Sequence, residues 1–152
     1  YDHTAHLTEI RAMTGARVSV HQADAQSLGN DLLSSAMPFG EKASPVAVDR
    51  VLTDADRVED LTVIHTPGHT PGSICLYHPK EEVLISGDTV FTHGSFGRYD
   101  LPGGSLPAVR ESLKRLSGYP VRGIYPGHGE PVREGGSRHL AAALKAVGAL
   151  HG

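Results

Sequence analysis

The chain has 152 residues, with 14 Lys and Arg against 17 Asp and Glu, ten His and one Cys. That length suits a single domain, and a net charge of −3 gives no electrostatic reason to expect nucleic acid or an anionic membrane as partner. One cysteine excludes an intrachain disulfide framework and a cysteine-built zinc finger, and no apolar run approaches the roughly 20 residues that span a bilayer.

Thr4 to Thr14 reads as a helix, with Thr4 as N-cap, Leu7 and Ile10 on one face and Gly15 beyond its end. Arg17 to His21 alternates polar and apolar residues through Val18 and Val20, the pattern of a short strand. The signal weakens from Gln22 to Pro45, where Asp31 to Ala36 reads as a helical turn and Met37-Pro38-Phe39-Gly40 as a surface loop. Four short β-rich runs follow, Val46–Leu52, Leu61–His65, Ser73–Tyr77 and Glu82–Ser86, broken by Gly, Pro or Asp. Pro107 to Leu116 is an amphipathic helix with Val109, Leu113 and Leu116 on one side. Val121 to Tyr125 is a strand, and Ser137 to Leu150 a terminal helix with Ser137 as N-cap. There is no repeat and no low-complexity tract, so the expectation is one mixed α and β domain over residues 1–152.

Histidine is plentiful for so modest a charged fraction, and it is the commonest metal ligand. Four places set His or Asp at the edge of a strand or helix. They are Asp2-His3 before the first helix, His69 in Thr66-Pro67-Gly68-His69-Thr70-Pro71-Gly72, Asp88 in Ser86-Gly87-Asp88-Thr89, and His128 in Tyr125-Pro126-Gly127-His128-Gly129. A glycine before each of the last three lets the backbone leave its strand sharply, so the next side chain can enter a shared cavity. Any one such histidine is more often a capping or solvent-facing residue; four junctions in order are a pattern. Histidines with aspartates form a mixed N/O set suited to Zn²⁺, Fe²⁺ or Mn²⁺. Cys75 alternates with Ile74 and Leu76 and reads as packing. His65 reads as structural, and His21, His78, His139 and His151 as surface or supporting residues. Arg98 is placed to bind a substrate carboxylate or to pair with Asp100, and Tyr99 and His93 are further pocket candidates.

These motifs resemble the metallo-β-lactamase-fold hydrolases. Tyr1-Asp2-His3 is similar to the tail of that family's His-x-His-x-Asp-His motif, and His69, Asp88 and His128 fall on its later motifs in order. Gly87-Asp88-Thr89-Val90-Phe91, with the stretch from Gly94 through Arg98-Tyr99-Asp100 to Gly104, resembles its short glyoxalase II-like branch. The resemblance implies an α+β fold, the αββα sandwich. Its N-terminal strands and the first His-x-His are not in this sequence, which together with a start at Tyr1 suggests a longer parent chain. It further implies two Zn²⁺ ions, with Fe²⁺ or Mn²⁺ as alternatives. The second ion would be held by Asp2, His3, Asp88 and His128, and His69 with Asp88 would serve the first. Asp2 would also orient the hydroxide held by the metals, and Asp88 would bridge the two ions.

The function this implies is hydrolysis of a thioester or related ester, as in hydroxyacylglutathione hydrolases. One helix's worth of residues after His128, where that enzyme carries a glutathione-binding domain, suggests a broader thioesterase. A mononuclear Fe²⁺ persulfide dioxygenase of the same fold is the alternative, and an inactive fragment a third possibility if this chain is the whole molecule. A small-molecule substrate, no nucleic-acid or membrane partner and a cytoplasmic location are expected; the oligomeric state is open.

Overall fold

The computed structural model describes residues 2–28, 40 and 46–150. The expected turn at 31–36, residues 37–39 of the expected loop, and His151 lie outside the described residues.

The first expected helix is shorter than its pattern. It spans α1, Leu7–Thr14, with His6 rather than Thr4 at the N-cap position, and the Thr4 carbonyl accepts the Leu7 N–H. The chain then forms β1 (Ser19–His21) and, further on, β2 (Arg50–Leu52), which pair in parallel with Ser19 beside Arg50 and His21 beside Leu52. Asp49 ties this unit together: one carboxylate oxygen accepts the Val18 N–H at 2.8 Å and the other the Arg11 guanidinium at 2.8 Å.

Five strands form the second sheet: β3 (Arg57–Val58), β4 (Leu61–His65), β5 (Ile74–His78), β6 (Val83–Gly87) and β7 (Gly123–Pro126), adjacent in that order. Neighbours from β3 to β6 are antiparallel, whereas β6 and β7 are parallel. A parallel pair needs a crossover, and α2, Leu106–Leu116, lies within it. Ser105 caps α2 by accepting the Ala108 N–H. The last helix, α3, spans Gly136–Gly148 with Gly135 at its N-cap. Ser137 therefore does not cap it. Its hydroxyl instead accepts the Val121 N–H and donates to the Val121 carbonyl, tying the helix start to the approach of β7.

Alternation along the strands sends Ile64, Cys75, Tyr77, Leu84 and Ile124 into one buried cluster with Val109, Leu113 and Leu116 of α2 and Leu140, Ala143 and Val147 of α3. The Tyr77 hydroxyl, at the edge of that cluster, donates to the Pro120 carbonyl at 2.7 Å. On the opposite face, Ile85 and Tyr125 stand side by side in register and are 42 % and 40 % exposed. No described helix is long and apolar enough to cross a membrane.

Candidate metal centre

Strand direction decides where the motif residues meet. With β5 running antiparallel between them, β4 and β6 point the same way, and β7 runs parallel to β6. The C-terminal ends of β4, β6 and β7 therefore open onto one edge of the sheet. The turns that follow them carry His69, Asp88 and His128, and Asp2-His3 ahead of α1 joins them.

Asp88 is the centre of the arrangement. Its Oδ2 lies 3.2 Å from His3 Nε2, 3.5 Å from His69 Nε2 and 3.4 Å from His128 Nε2. Asp2 Oδ2 is 3.2 Å from His128 Nε2 and 3.8 Å from His3 Nε2. The two histidine nitrogens are themselves only 3.2 Å apart, and Asp2, His3 and His128 each offer a donor atom within 4.8 Å of the others. Partial burial pushes the Asp2 carboxyl up, but the adjacent imidazoles of His3 and His128 and its own backbone N–H outweigh it and hold it below the ordinary aspartate value.

The surroundings orient these groups. His69 Nδ1 faces the Arg98 carbonyl at 2.7 Å. A carbonyl only accepts, so Nδ1 carries a proton, and Nε2 is the ring nitrogen turned toward Asp88 and placed to coordinate a metal. Phe91 meets the His128 ring edge to face at 5.9 Å. Under the Asp88 turn lies a buried polar floor. The Thr66 and Thr89 hydroxyls bond at 2.8 Å, and the Ser86 hydroxyl donates to the Val90 carbonyl at 2.6 Å. The Gly127 N–H donates to the Gly87 carbonyl at 2.9 Å, drawing the His128 turn against the Asp88 turn. A side chain at Gly127 would run into Asp88 Oδ1 and come within 2.7 Å of His3 Cε1, so only glycine permits this approach.

The donor set fits a divalent transition metal. Asp88 is 11 % exposed, and among the described residues its Oδ1 is buried without a hydrogen-bond partner, which is costly for a carboxylate oxygen unless a cation answers it. Imidazole nitrogens crowded against each other and two carboxylates likewise call for a cation or shared protons. Nitrogen and oxygen donors without sulfur suit zinc, iron or manganese.

The centre opens into a cavity of about 630 Å³, whose wall includes Val20, Leu28, Ile74, Phe96 and Leu101. The chain matches the metallo-beta-lactamase superfamily over residues 1–128. It belongs to that superfamily. It is 33 % identical to a probable metallo-hydrolase of Methanocaldococcus jannaschii over 138 residues, covering 86 % of this chain and 66 % of the relative. A hydroxyacylglutathione hydrolase of Rhodospirillum rubrum is 30 % identical over 84 % of this chain and 44 % of its own length. Among solved structures, the di-iron-bound form of TTHA1623 superimposes with a TM-score of 0.78 at 32 % identity, covering 95 % of this chain and 69 % of that one. The BLEG-1 B3 metallo-beta-lactamase does so with 0.79 at 31 % identity, covering 86 % and 66 %. The chain thus spans less than two thirds, or just under it, of the curated relatives it matches.

The metallo-beta-lactamase fold agrees with expectation; the outlying candidates are distributed differently. Arg98 lines the cavity, yet its guanidinium holds Asp100 in a two-point pair at 2.8 and 2.7 Å. That pairing depresses the Asp100 carboxyl to about 2. Tyr99 packs against the core beside Phe96, and the His93 N–H donates to His139 Nδ1 at 2.8 Å; neither lines the cavity. Cys75 is buried packing, its thiol pushed up to about 11 by that burial. His21, expected at the surface or in support, is buried and stacked on His65 at 3.9 Å. His65 donates from Nε2 to the Pro71 carbonyl, a structural role. Sequence reading missed Asp24, which lines the cavity and binds the His69 loop; no pattern in the weak 22–45 stretch marked it.

Proposed function

We propose that this chain carries the catalytic centre of a dinuclear zinc hydrolase that cleaves a thioester or related ester. The observation that carries the reading is Asp88, with one oxygen reaching three imidazoles and the other buried without a partner. Asp2, His3, Asp88 and His128 would hold one ion, and His69 with Asp88 would supply two donors to the other. Bound there, divalent metal lowers the pKa of water and polarises a carbonyl oxygen.

The chain's own groups do the rest. Asp2, held charged beside His3 and His128, accepts a hydrogen bond from the attacking water and aims it. His69 keeps its ring fixed through the Arg98 carbonyl, with its Nε2 turned toward Asp88. The apolar wall from Val20, Leu28, Ile74, Phe96 and Leu101 receives the acyl group and excludes bulk water. No side chain in the described lining stands out as a proton donor for a poor leaving group. A thiol, with a reference pKa of about 8.5, departs as thiolate with little such help, which favours a thioester. The 30 % identity to a hydroxyacylglutathione hydrolase supports the same choice.

The test is metal analysis coupled to turnover. Zinc-loaded protein is expected to hydrolyse an acylglutathione thioester faster than a matched oxygen ester or a β-lactam. Chelation should abolish the activity and zinc should restore it. Thioester turnover indifferent to chelation would refute the reading. One iron per chain with oxygen consumption on a persulfide would replace it with a dioxygenase.

A further inference from the structure

The loop that carries His69 is held from outside by a segment of the other sheet. Asp24 lies just after β1, in the short turn Gln22–Asp24. Its Oδ2 accepts the Thr70 hydroxyl at 2.5 Å and its Oδ1 the Gly72 N–H at 2.8 Å. The approach is close enough that a Cβ at Gly72 would fall 2.5 Å from the Asp24 carboxyl carbon and 2.7 Å from its backbone nitrogen. Within the loop, Ser73 Oγ accepts the Thr70 N–H at 2.9 Å, completing a turn that presents both groups to Asp24. The same short segment also grips the loop's other end. His21 stacks on His65 at 3.9 Å and 14°, and His65 donates to the Pro71 carbonyl.

The Arg98 carbonyl sets the rotation and tautomer of the His69 ring, but it does not fix where the backbone of residue 69 stands. Asp24 bonds the residues immediately after it with both carboxylate oxygens. Hydrogen bonds to an ionised acceptor are roughly twice as strong as neutral ones. We propose that Asp24 is a positioning residue for His69, setting its Nε2 at the distance from Asp88 that metal binding requires. The inference rests on the reading of His69 as a ligand. It assigns the β1 unit a part in the centre although that unit supplies no donor from its strands.

The test compares Asp24→Ala, Asp24→Asn, Thr70→Val and His69→Ala with the parent protein. Zinc affinity is measured by competition with a chromophoric chelator, and the visible spectrum of the Co²⁺-loaded protein reports ligand geometry. Asp24→Ala is expected to weaken zinc binding roughly 10- to 100-fold and to alter the cobalt bands, with folding monitored by circular dichroism. Asp24→Asn keeps an oxygen for the Gly72 N–H and should recover most of the affinity. Thr70→Val, which removes one of the two bonds, should fall between parent and Asp24→Ala. Parent-like affinity and spectra in both Asp24→Ala and Thr70→Val, with His69→Ala impaired, overturn the positioning role and leave the ligand reading intact. A His69→Ala protein that binds as the parent does sinks the ligand reading itself. Should Asp24→Ala not fold, Thr70→Val decides: weakened binding supports the role and parent-like binding overturns it.

Discussion

The two faces of the five-stranded sheet are built to different standards. On one, Ile64, Cys75, Leu84 and Ile124 are sealed against α2 and α3, and Leu113, Leu116, Ala143 and Val147 are fully buried. On the other, Ile85 and Tyr125 remain exposed, and the β1–β2 unit brings α1, a helix with no buried residue, on which Met13 is 84 % exposed. Hydrophobic stabilisation scales with the apolar area removed from water, so the larger share of it comes from the helix-covered face, with Val63 and Leu52 the fully buried aliphatics outside that cluster. The candidate centre sits where the two meet. Its Asp88 and His128 turns lie at the C-terminal edge of the sheet, while Asp24 reaches the His69 loop from the segment after β1.

Truncation should separate the two faces most sharply. Leu113→Ala removes a fully buried side chain of α2 and is expected to cost about 2–5 kcal/mol, read as a lowered urea midpoint. At the seam, Thr66→Val leaves the buried Thr89 hydroxyl short of its partner and should cost about 1–3 kcal/mol. Pairing it with Thr89→Val should return most of the loss; a strictly additive double variant would mean the two hydroxyls do not interact.

A smaller effect is expected from His21 on the open side. Burial, with the stacked His65 imidazole, lowers its pKa below 6.5, so the folded protein holds it neutral where the unfolded chain takes up a proton. Its contribution is fully present above pH 6.5 and declines as the pH falls toward the lowered value. Thermal melts of the parent should therefore drop more steeply below pH 6.5 than those of His21→Phe, which keeps a stacking ring without the proton. Equal slopes would remove His21 from the account. Least of all, Met13→Ala should change stability by under about 0.5 kcal/mol. A loss near that of Leu113→Ala would show that α1 is packed and would erase the contrast between the faces.

Much of the centre was visible along the chain because its signals are local. A strand pattern, a glycine and then His or Asp can be read within five residues, and His69, Asp88 and His128 stand at such junctions, while Asp2-His3 lies just ahead of a helix pattern. Strand limits came within a residue or two for β4, β5 and β6 because apolar alternation marks them. The two-residue β3 is too short to carry a pattern. Ser137 resembles a helix cap in sequence, yet its hydroxyl serves Val121, 16 residues earlier. Asp24 is an unremarkable turn residue until Thr70 and Gly72 are beside it, 46 and 48 residues on. Arg98 and Asp100, two residues apart, form the short-range pair that is one of the two readings the sequence offers for Arg98.

The sequence by itself determined the mixed α and β character, the exclusion of an intrachain disulfide and of an apolar run long enough for a membrane-spanning helix, and which His and Asp residues stand at element ends. Those follow from composition and from periodicity over a few residues. Tertiary structure alone decided that these residues converge, because β4, β6 and β7 must share a direction before their C-terminal turns reach one edge. It decided the His69 tautomer, through a carbonyl 29 residues away, and which sheet face is buried, since alternation marks two faces and only packing chooses between them.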